Sequence, residues 1–314
     1  MAETRIITGI DIGTTKVRVI IAESEDGGEP VFLGYGTAPA EGLRRGVVVN
    51  MEKTVQALTT AVEDAEIMAS IRVSSAVAGI AGDHIKSINS HGVIGVSRSD
   101  NEIGEKDVNK AIETASAIAI PADREIVHVL PQEYTIDEQP GIKNPLGMTG
   151  VRLEVEVHIV TAAVTSAKNI YRSLERCEID IEHLVLQALA SSYANISSSE
   201  EDIGVVLIDI GGDLTDVAVF YDSSIRHTGV VPLGGRNVTN DIAIGLRTSV
   251  DQAERLKLSY GSALTAMVDP DEMMEVPATM GRKPRTISRN VLASIIEPRM
   301  EEILSLVARE MKKA

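Results

Sequence analysis

Two short phrases carry the residues whose types and spacing could do chemistry. Gly-Ile-Asp-Ile-Gly-Thr-Thr-Lys occupies residues 9–16, and Ile-Asp-Ile-Gly-Gly-Asp-Leu-Thr-Asp occupies residues 208–216. Each follows an apolar run and precedes a β-branched one, which reads as strand, Asp-x-Gly turn, strand. A bend of this kind is lined with backbone N–H groups, small hydroxyls and one carboxylate. Its amides can cradle a phosphate, and its carboxylate can hold a hydrated Mg²⁺. One copy would be ordinary turn chemistry. Two copies in matching context point to two related half-molecules facing each other across a nucleotide.

The elements that must position these turns are those of a two-lobed α/β protein. At 314 residues the chain exceeds the usual size of a single core. With two Phe, six Tyr and no Trp, that core must be aliphatic. A net charge of −16 argues against nucleic acid as a partner and against adsorption of the body to anionic lipid. The single Cys177 excludes an intramolecular disulfide framework and fits a reducing compartment. It falls in a helical stretch, 162–178, and reads as a buried structural thiol. The six histidines show no metal-ligand spacing. No secretory signal is read at the polar N-terminus, and no apolar run reaches the ~18 residues of a membrane span, so a cytoplasmic chain is expected.

Along the chain, strands are predicted at 5–12, 17–22 and 31–37, then a helix over 52–69 with apolar positions three and four apart, and a strand at 75–80. Residues 85–160 read as an inserted α+β module: strand-like runs at 84–88 and 93–97, a helix at 105–119, and longer strands at 125–136 and 151–161. Helices return at 163–176 and 186–195, followed by a polar loop at 197–202. After the second Asp-x-Gly hairpin come a strand at 224–231 and helices at 237–246 and 250–260, the latter capped by Ser249. A turn-rich stretch follows at 263–286. A long helix over 289–312, tolerating Pro298, ends the chain with no returning strand for the second lobe.

With these phrases in place, the chain resembles the actin-like ATPase superfamily and, within it, the FtsA family of bacterial cell-division proteins. The superfamily likeness rests on the two Asp-x-Gly loops, Gly234-Gly235, the Glu254-x-x-Lys257 helix and Gln187-Ala-Leu-Ala-Ser-Ser-Tyr193. The closer likeness covers nearly the whole chain. It includes Val129-Leu-Pro-Gln-Glu-Tyr134, Gly141-Ile-Lys-Asn-Pro-Leu-Gly-Met-Thr-Gly-Val-Arg152, Glu275-Val-Pro277, Arg285 and Ile296-Glu-Pro-Arg299. The implied fold is α/β and actin-like: two lobes, each with a mixed β-sheet and helices, and an FtsA-type inserted α+β subdomain in the first lobe. Residues 1–84 and 162–197 would form the first-lobe core (1A) and 85–161 the insert (1C). Residues 198–232 and 296–314 would form an incomplete second-lobe core (2A), and 233–295 its second subdomain (2B). The chain departs from the family at Asp213, where a third glycine is usual. Family members also continue past position 314 with a Gly-rich adenosine loop and an amphipathic membrane-targeting helix, so a truncated form is expected.

The resemblance implies roles residue by residue. Asp11 and its counterpart Asp209 would hold Mg²⁺ through water. Gly13, Thr14 and Thr15 would present amides and hydroxyls to the β- and γ-phosphates, with Lys16 as a point cation on phosphate. Gly211, Gly212, Asp213 and Thr215 would wrap the phosphates from the other side, although a carboxylate at 213 is repulsive there unless it is offset or points away. Gln187 matches the glutamine that positions the attacking water, which makes Asp11, Gln187 and Asp209 the catalytic candidates. Glu254 and Lys257, three apart on one helical face, would meet ribose and adenine beside Gly234 and Gly235. Alone, such a pair is ordinarily a surface salt bridge. Arg282, Lys283, Arg285, Arg289 and Arg299 stand out in an acidic chain. Arg285, Arg289, Asn290, Arg299 and Glu302 are the candidates for docking the FtsZ C-terminal peptide.

The function implied is a cell-division adaptor with ATP and Mg²⁺ as cofactors and at most weak ATPase activity. It would assemble head-to-tail with itself through the insert, tether FtsZ to the inner face of the cytoplasmic membrane and recruit later divisome membrane proteins. Membrane contact would come only through a C-terminal helix absent here. Nucleic acid is not an expected partner. A pilus-assembly adaptor of the same superfamily is the alternative, followed by a small-molecule kinase.

Overall fold

The computed structural model describes residues 5–25, 28–97, 100–277 and 284–314. The first lobe begins with three antiparallel strands, β1 (Arg5–Ile12), β2 (Lys16–Ser24) and β3 (Val31–Pro39). A two-rung hairpin follows, β4 (Leu43–Arg44) with β5 (Val47–Val48). Next come α1 (Met51–Ala69) and β6 (Ser75–Ile80). Asn50 opens α1 by accepting the Lys53 N–H on its side chain at 3.1 Å. The buried positions of α1 are Thr54, Ala57, Leu58, Ala61, Val62 and Ala65, the three-and-four spacing expected of a helix lying on a sheet.

The insert leaves after β6. It comprises β7 (Lys86–Gly95), α2 (Glu105–Ser116), β8 (Arg124–Ile136), β9 (Gln139–Ile142) and β10 (Arg152–Ala163). Its strands form an antiparallel sheet in the order β7-β10-β8-β9, covered by α2. Ile94, Ile103, Leu153, Val155, Val157 and Ile159 belong to its own apolar core. The two runs predicted at 84–88 and 93–97 are one strand here. Polar Asn89, Ser90 and His91 interrupt the apolar signal, but all three stay in register with β10.

The chain then returns through α3 (Val164–Glu175), β11 (Asp180–Leu186), α4 (Gln187–Asn195) and a short α5 (Ser198–Ile203). No strand was predicted over 180–186. β11 joins the first-lobe sheet parallel to β6, giving the order β11-β6-β1-β2-β3. Glu182 and His183 break its alternation at a register shift, and Glu182 pairs with Arg5 and Ser75 at the sheet's exposed end. The polar stretch at 197–202 is helical because Ser197 and Glu200 cap each other's backbone N–H groups. Cys177 lies just after α3, not within it, half-buried against Thr59 and the Ser173 carbonyl.

The second lobe holds β12 (Val205–Ile210), β13 (Thr215–Tyr221) and β14 (Ser224–Val231) in an antiparallel sheet. Then come α6 (Gly235–Leu246), α7 (Val250–Tyr260), the hairpin β15 (Met273–Val276) and β16 (Arg285–Ser288), and α8 (Arg289–Met311). One helix serves two cores. Leu292 and Ile296 of α8 pack with α6, α7 and β15, whereas Ile303 and Val307 pack with Val217 and Val231 of the sheet.

Two features fix one lobe against the other. Helix α4 touches β6 and β11 of the first lobe and β12 and β13 of the second. The insert lies against β14 through a polar seam. There the buried Gln132 donates to the Ile225 carbonyl at 2.6 Å, Ser224 donates back to the Gln132 carbonyl at 2.7 Å, and Ser87 donates to the Thr228 carbonyl at 2.8 Å. His158 bridges Asn89 Oδ1 (2.6 Å) and Thr228 Oγ1 (2.9 Å) within that seam.

Candidate functional site

The two Asp-x-Gly turns are built alike. In the first, the Gly13 N–H donates to the Lys16 carbonyl at 3.1 Å; in the second, the Gly211 N–H donates to the Leu214 carbonyl at 2.8 Å. Matching these bonds makes Thr15 the counterpart of Asp213. The turns project from hairpins β1–β2 and β12–β13 and meet at the floor of a cleft of about 1150 Å³ between the lobes. Contact is direct. A Cβ on Gly212 would fall 2.3 Å from Thr15 Cγ2 and 3.0 Å from Thr14 Oγ1, so the approach requires glycine. A Cβ on Gly234 would likewise strike the Gly211 and Gly212 carbonyls at 2.6 Å. Those two carbonyls accept the first amides of α6, from Gly235 (2.9 Å) and Arg236 (2.8 Å), which seats the helix against the turn.

Three carboxylates converge behind the turns. Asp11 accepts from Gln187 Nε2 at 2.8 Å and faces Arg18 Nη1 at 3.5 Å. Withdrawal from bulk water raises its carboxyl above the usual range, and Asp209 adds to this while Arg18 and Lys16 oppose it. Asp209 accepts from Ser191 Oγ at 3.1 Å. Asp216 is buried, its Oδ1 has no hydrogen-bond partner, and burial followed by the charges of Asp209 and Asp11 pushes its carboxyl up to about 7.

This donor set fits a hard divalent cation with oxygen ligands. Among the described residues, however, no three His, Cys, Asp or Glu side chains group closely enough to cage a metal. A cation here would keep much of its water, as Mg²⁺ commonly does.

The cleft wall contains Asp11, Gly13, Thr14, Thr15 and Lys16 from the first turn and Gln187 from α4. From the second lobe it contains Asp209, Gly211, Gly212 and Gly235, with Glu254 and Lys257 of α7 farther along. The latter two form an ion pair at 2.8 Å, and both bond the Thr239 hydroxyl. Burial alone would raise Glu254, but hydrogen bonds from Lys257 and Thr239 outweigh it and hold the carboxyl below its ordinary value.

Three of the predicted ligands are not on this wall. Gly234 is spent on packing against the second turn. The Thr215 hydroxyl is fully buried and donates to the Leu233 carbonyl at 2.9 Å. The Asp213 carboxylate turns aside to the Arg45 N–H and to Arg236.

Residues that sequence reasoning missed are Arg18, Ser191, Arg236, Thr239 and Asp216. The second phrase ends on Asp216, whose position matches that of Arg18, two residues past the first phrase. That match was the available signal.

The described basic candidates of the second lobe cluster on β16 and α8, but Arg285, Arg289 and Arg299 are each engaged within the chain. Arg285 donates to the Leu246 carbonyl. Arg289 donates to the Tyr260 carbonyl and to Glu272, both at 2.7 Å. Arg299 grips Asp241 through two nitrogens at 2.6 and 3.1 Å and also pairs with Glu302. Asn290 carries a buried Oδ1 with no partner. Arg282 and Lys283 lie outside the described residues.

Two family models match the chain: "SHS2 domain inserted in FTSA" over residues 82–161 and "Cell division protein FtsA" over residues 206–313. The chain is 44% identical over 310 residues to the cell division protein FtsA of Pseudomonas aeruginosa, covering 99% of this chain and 74% of that protein. It is 38% identical over 307 residues to FtsA of Escherichia coli, covering 98% and 73%. Among solved structures, the PilM-PilN type IV pilus biogenesis complex matches with a TM-score of 0.67 at 15% identity, over 98% of this chain and 76% of that one. MreB5 of Spiroplasma citri bound to ADP matches with a TM-score of 0.54 at 13% identity, over 99% and 79%.

Proposed function

Because the chain belongs to the FtsA family of cell-division proteins and has an actin-like fold, we propose that it is a nucleotide-switched adaptor of division. It binds ATP between its lobes and assembles head-to-tail with itself. It links FtsZ filaments to the inner face of the cytoplasmic membrane, where later divisome proteins join. The observation that carries this reading is the pair of matched turns meeting across one cleft, with Asp11 and Asp209 side by side behind them. ADP held by a fold relative, MreB5, agrees with it.

In this reading the amides of Thr14, Thr15 and Gly212 hold the phosphates, Gly13 and Gly211 close the turns with their own N–H groups, Lys16 adds a point charge, and Glu254 and Lys257 receive the nucleoside. Mg²⁺ would neutralise the β- and γ-phosphate oxygens from a position held through water by Asp11 and Asp209. Gln187, which donates to Asp11 at 2.8 Å, would orient the attacking water.

The insert offers the contact to the next subunit, and the helical subdomain bearing Arg285, Arg289, Asn290, Arg299 and Glu302 receives the FtsZ tail. Among the described residues no helix is long and apolar enough to cross a membrane. Attachment in this reading is peripheral, through an amphipathic helix of the kind the family resemblance implies after position 314.

The PilM likeness is one of fold at 15% identity, and the loop phrases at 129–134, 141–152 and 296–299 favour division over pilus assembly. Sedimentation with and without ATP, with an FtsZ C-terminal peptide titrated on the same sample, tests the proposal. ATP-dependent pelleting with micromolar peptide binding is expected. Intact ATP binding with no peptide affinity would favour the pilus reading.

A further inference from the structure

Asp213 occupies the turn position that Thr15 holds in the first hairpin, yet it is 8% exposed where Thr15 is open to solvent. Burying a carboxylate costs several kcal/mol unless it is paired and hydrogen-bonded. The groups that satisfy this one come from both lobes. Its Oδ1 pairs with Arg236 Nη1 at 3.0 Å, and its Oδ2 accepts the backbone N–H of Arg45 at 3.1 Å. Arg45 stands at the tip of the β4–β5 hairpin in the first lobe, with φ of 49°. Arg236 in turn donates from Nη2 to the Thr14 carbonyl at 3.2 Å, and the Asp213 N–H donates to Thr14 Oγ1 at 3.2 Å. Three of these four bonds cross from lobe to lobe. All of them surround the place where Gly212 touches Thr14 and Thr15.

We propose that Asp213 and Arg236 form a polar latch that holds the two turns together from behind the cleft and controls how readily the floor of the cleft opens. Arg236 also lines the cleft. An anion entering between the turns competes with Asp213 for that guanidinium, so the latch couples lobe separation to what the cleft holds. Its control of nucleotide entry rests on the ATP reading above; its tie between the lobes does not.

Amide hydrogen exchange on the nucleotide-free protein, followed at residues 43–48, tests the tie directly. The φ of Asp213 lies outside the left-handed region, so alanine fits its backbone. Asp213→Ala should raise exchange of the Arg45 amide about tenfold while β1 and β2 stay protected. Asp213→Asn, which keeps an acceptor but loses the ion pair, should give an intermediate rise, and Arg236→Gln a smaller one. Association of a fluorescent ATP analogue should be faster in Asp213→Ala than in the parent. A folded Asp213→Ala protein whose Arg45 amide exchanges as in the parent overturns the latch, whether or not ATP binds. If that variant does not fold, parent-like exchange in both Asp213→Asn and Arg236→Gln overturns it equally. Raised exchange with unchanged association would refute the control of entry alone. Failure of the parent to bind ATP would refute the ATP reading and leave the tie standing on the exchange result.

Discussion

Arg18 and Asp216 hold the same place in the two hairpins: Arg18 lies directly across the ladder from Asp11, and Asp216 directly across from Asp209. One aspartate therefore faces a cation and the other faces a second carboxylate. The first pair is near neutral, while burial and the neighbouring carboxylates keep the second from readily carrying both charges. The halves share a backbone plan with opposite electrostatics at one rung.

Burial of Asp216, and after it the charges of Asp209 and Asp11, makes stability depend on pH. Its carboxyl is raised to about 7 in the folded chain, against an ordinary 3.8. The folded protein therefore holds a proton that the unfolded chain has released, and stability falls as pH rises between those values. Asp216→Asn should stabilise the protein at pH 8 by on the order of 1–4 kcal/mol and have little effect at pH 4. Thermal melts of both proteins across that range check this.

The close approach of the turns should appear as intolerance at Gly212. A Cβ there lies 2.3 Å from Thr15 Cγ2, so Gly212→Ala must displace the Thr15 side chain or push the turns apart. Overpacking of this kind costs about 1–3 kcal/mol. A chemical denaturation midpoint equal to that of the parent would show that the Thr15 side chain turns aside without cost and that the contact does not constrain the turns.

The seam between insert and second lobe titrates in the opposite sense. Burial, then the charge of His227, lowers His158 to about 4. Between pH 6.5 and 4 the unfolded chain binds the proton and the folded one does not, so this contribution is lost as pH falls through that window. It amounts to about 2 kcal/mol at pH 5. His158→Gln should flatten the decline in melting temperature between pH 7 and 5.

Arg299→Glu should weaken binding of the FtsZ C-terminal peptide about tenfold or more while ATP affinity is retained. Because Arg299 also grips Asp241, the variant should melt lower as well. Asp241→Ala separates the two effects: it removes the grip but leaves the cation to the peptide. Unchanged peptide affinity in Arg299→Glu would remove α8 from the docking surface.

Much of this fold was legible because its signals are local. Asp-x-Gly between apolar runs fixes a hairpin, and helical spacing marks α1. The strand β11 was not legible, since Glu182 and His183 sit at a register irregularity and break the period-two pattern. Within the site, Asp11 and Asp209 stood out because they recur in phase. Asp216 did not, since a polar residue in a strand reads as solvent-facing until the opposite rung is known. Thr215 looked like a phosphate ligand from its type, but its hydroxyl is consumed by the Leu233 carbonyl, a contact made across the sheet's end. The arginines of β16 and α8 read as a basic surface because their partners Leu246, Glu272 and Asp241 are distant in sequence.

The proposed function puts ATP between the two turns, held with the help of Asp11 and Asp209. Calorimetric titration of ATP with and without Mg²⁺, on the parent protein and on Asp11→Asn, tests it most directly. One Mg²⁺-dependent site of micromolar affinity, weakened at least about tenfold in a variant that remains folded, is the expected result. A folded parent protein that takes up no ATP, or an Asp11→Asn variant that binds it equally well, would contradict the account.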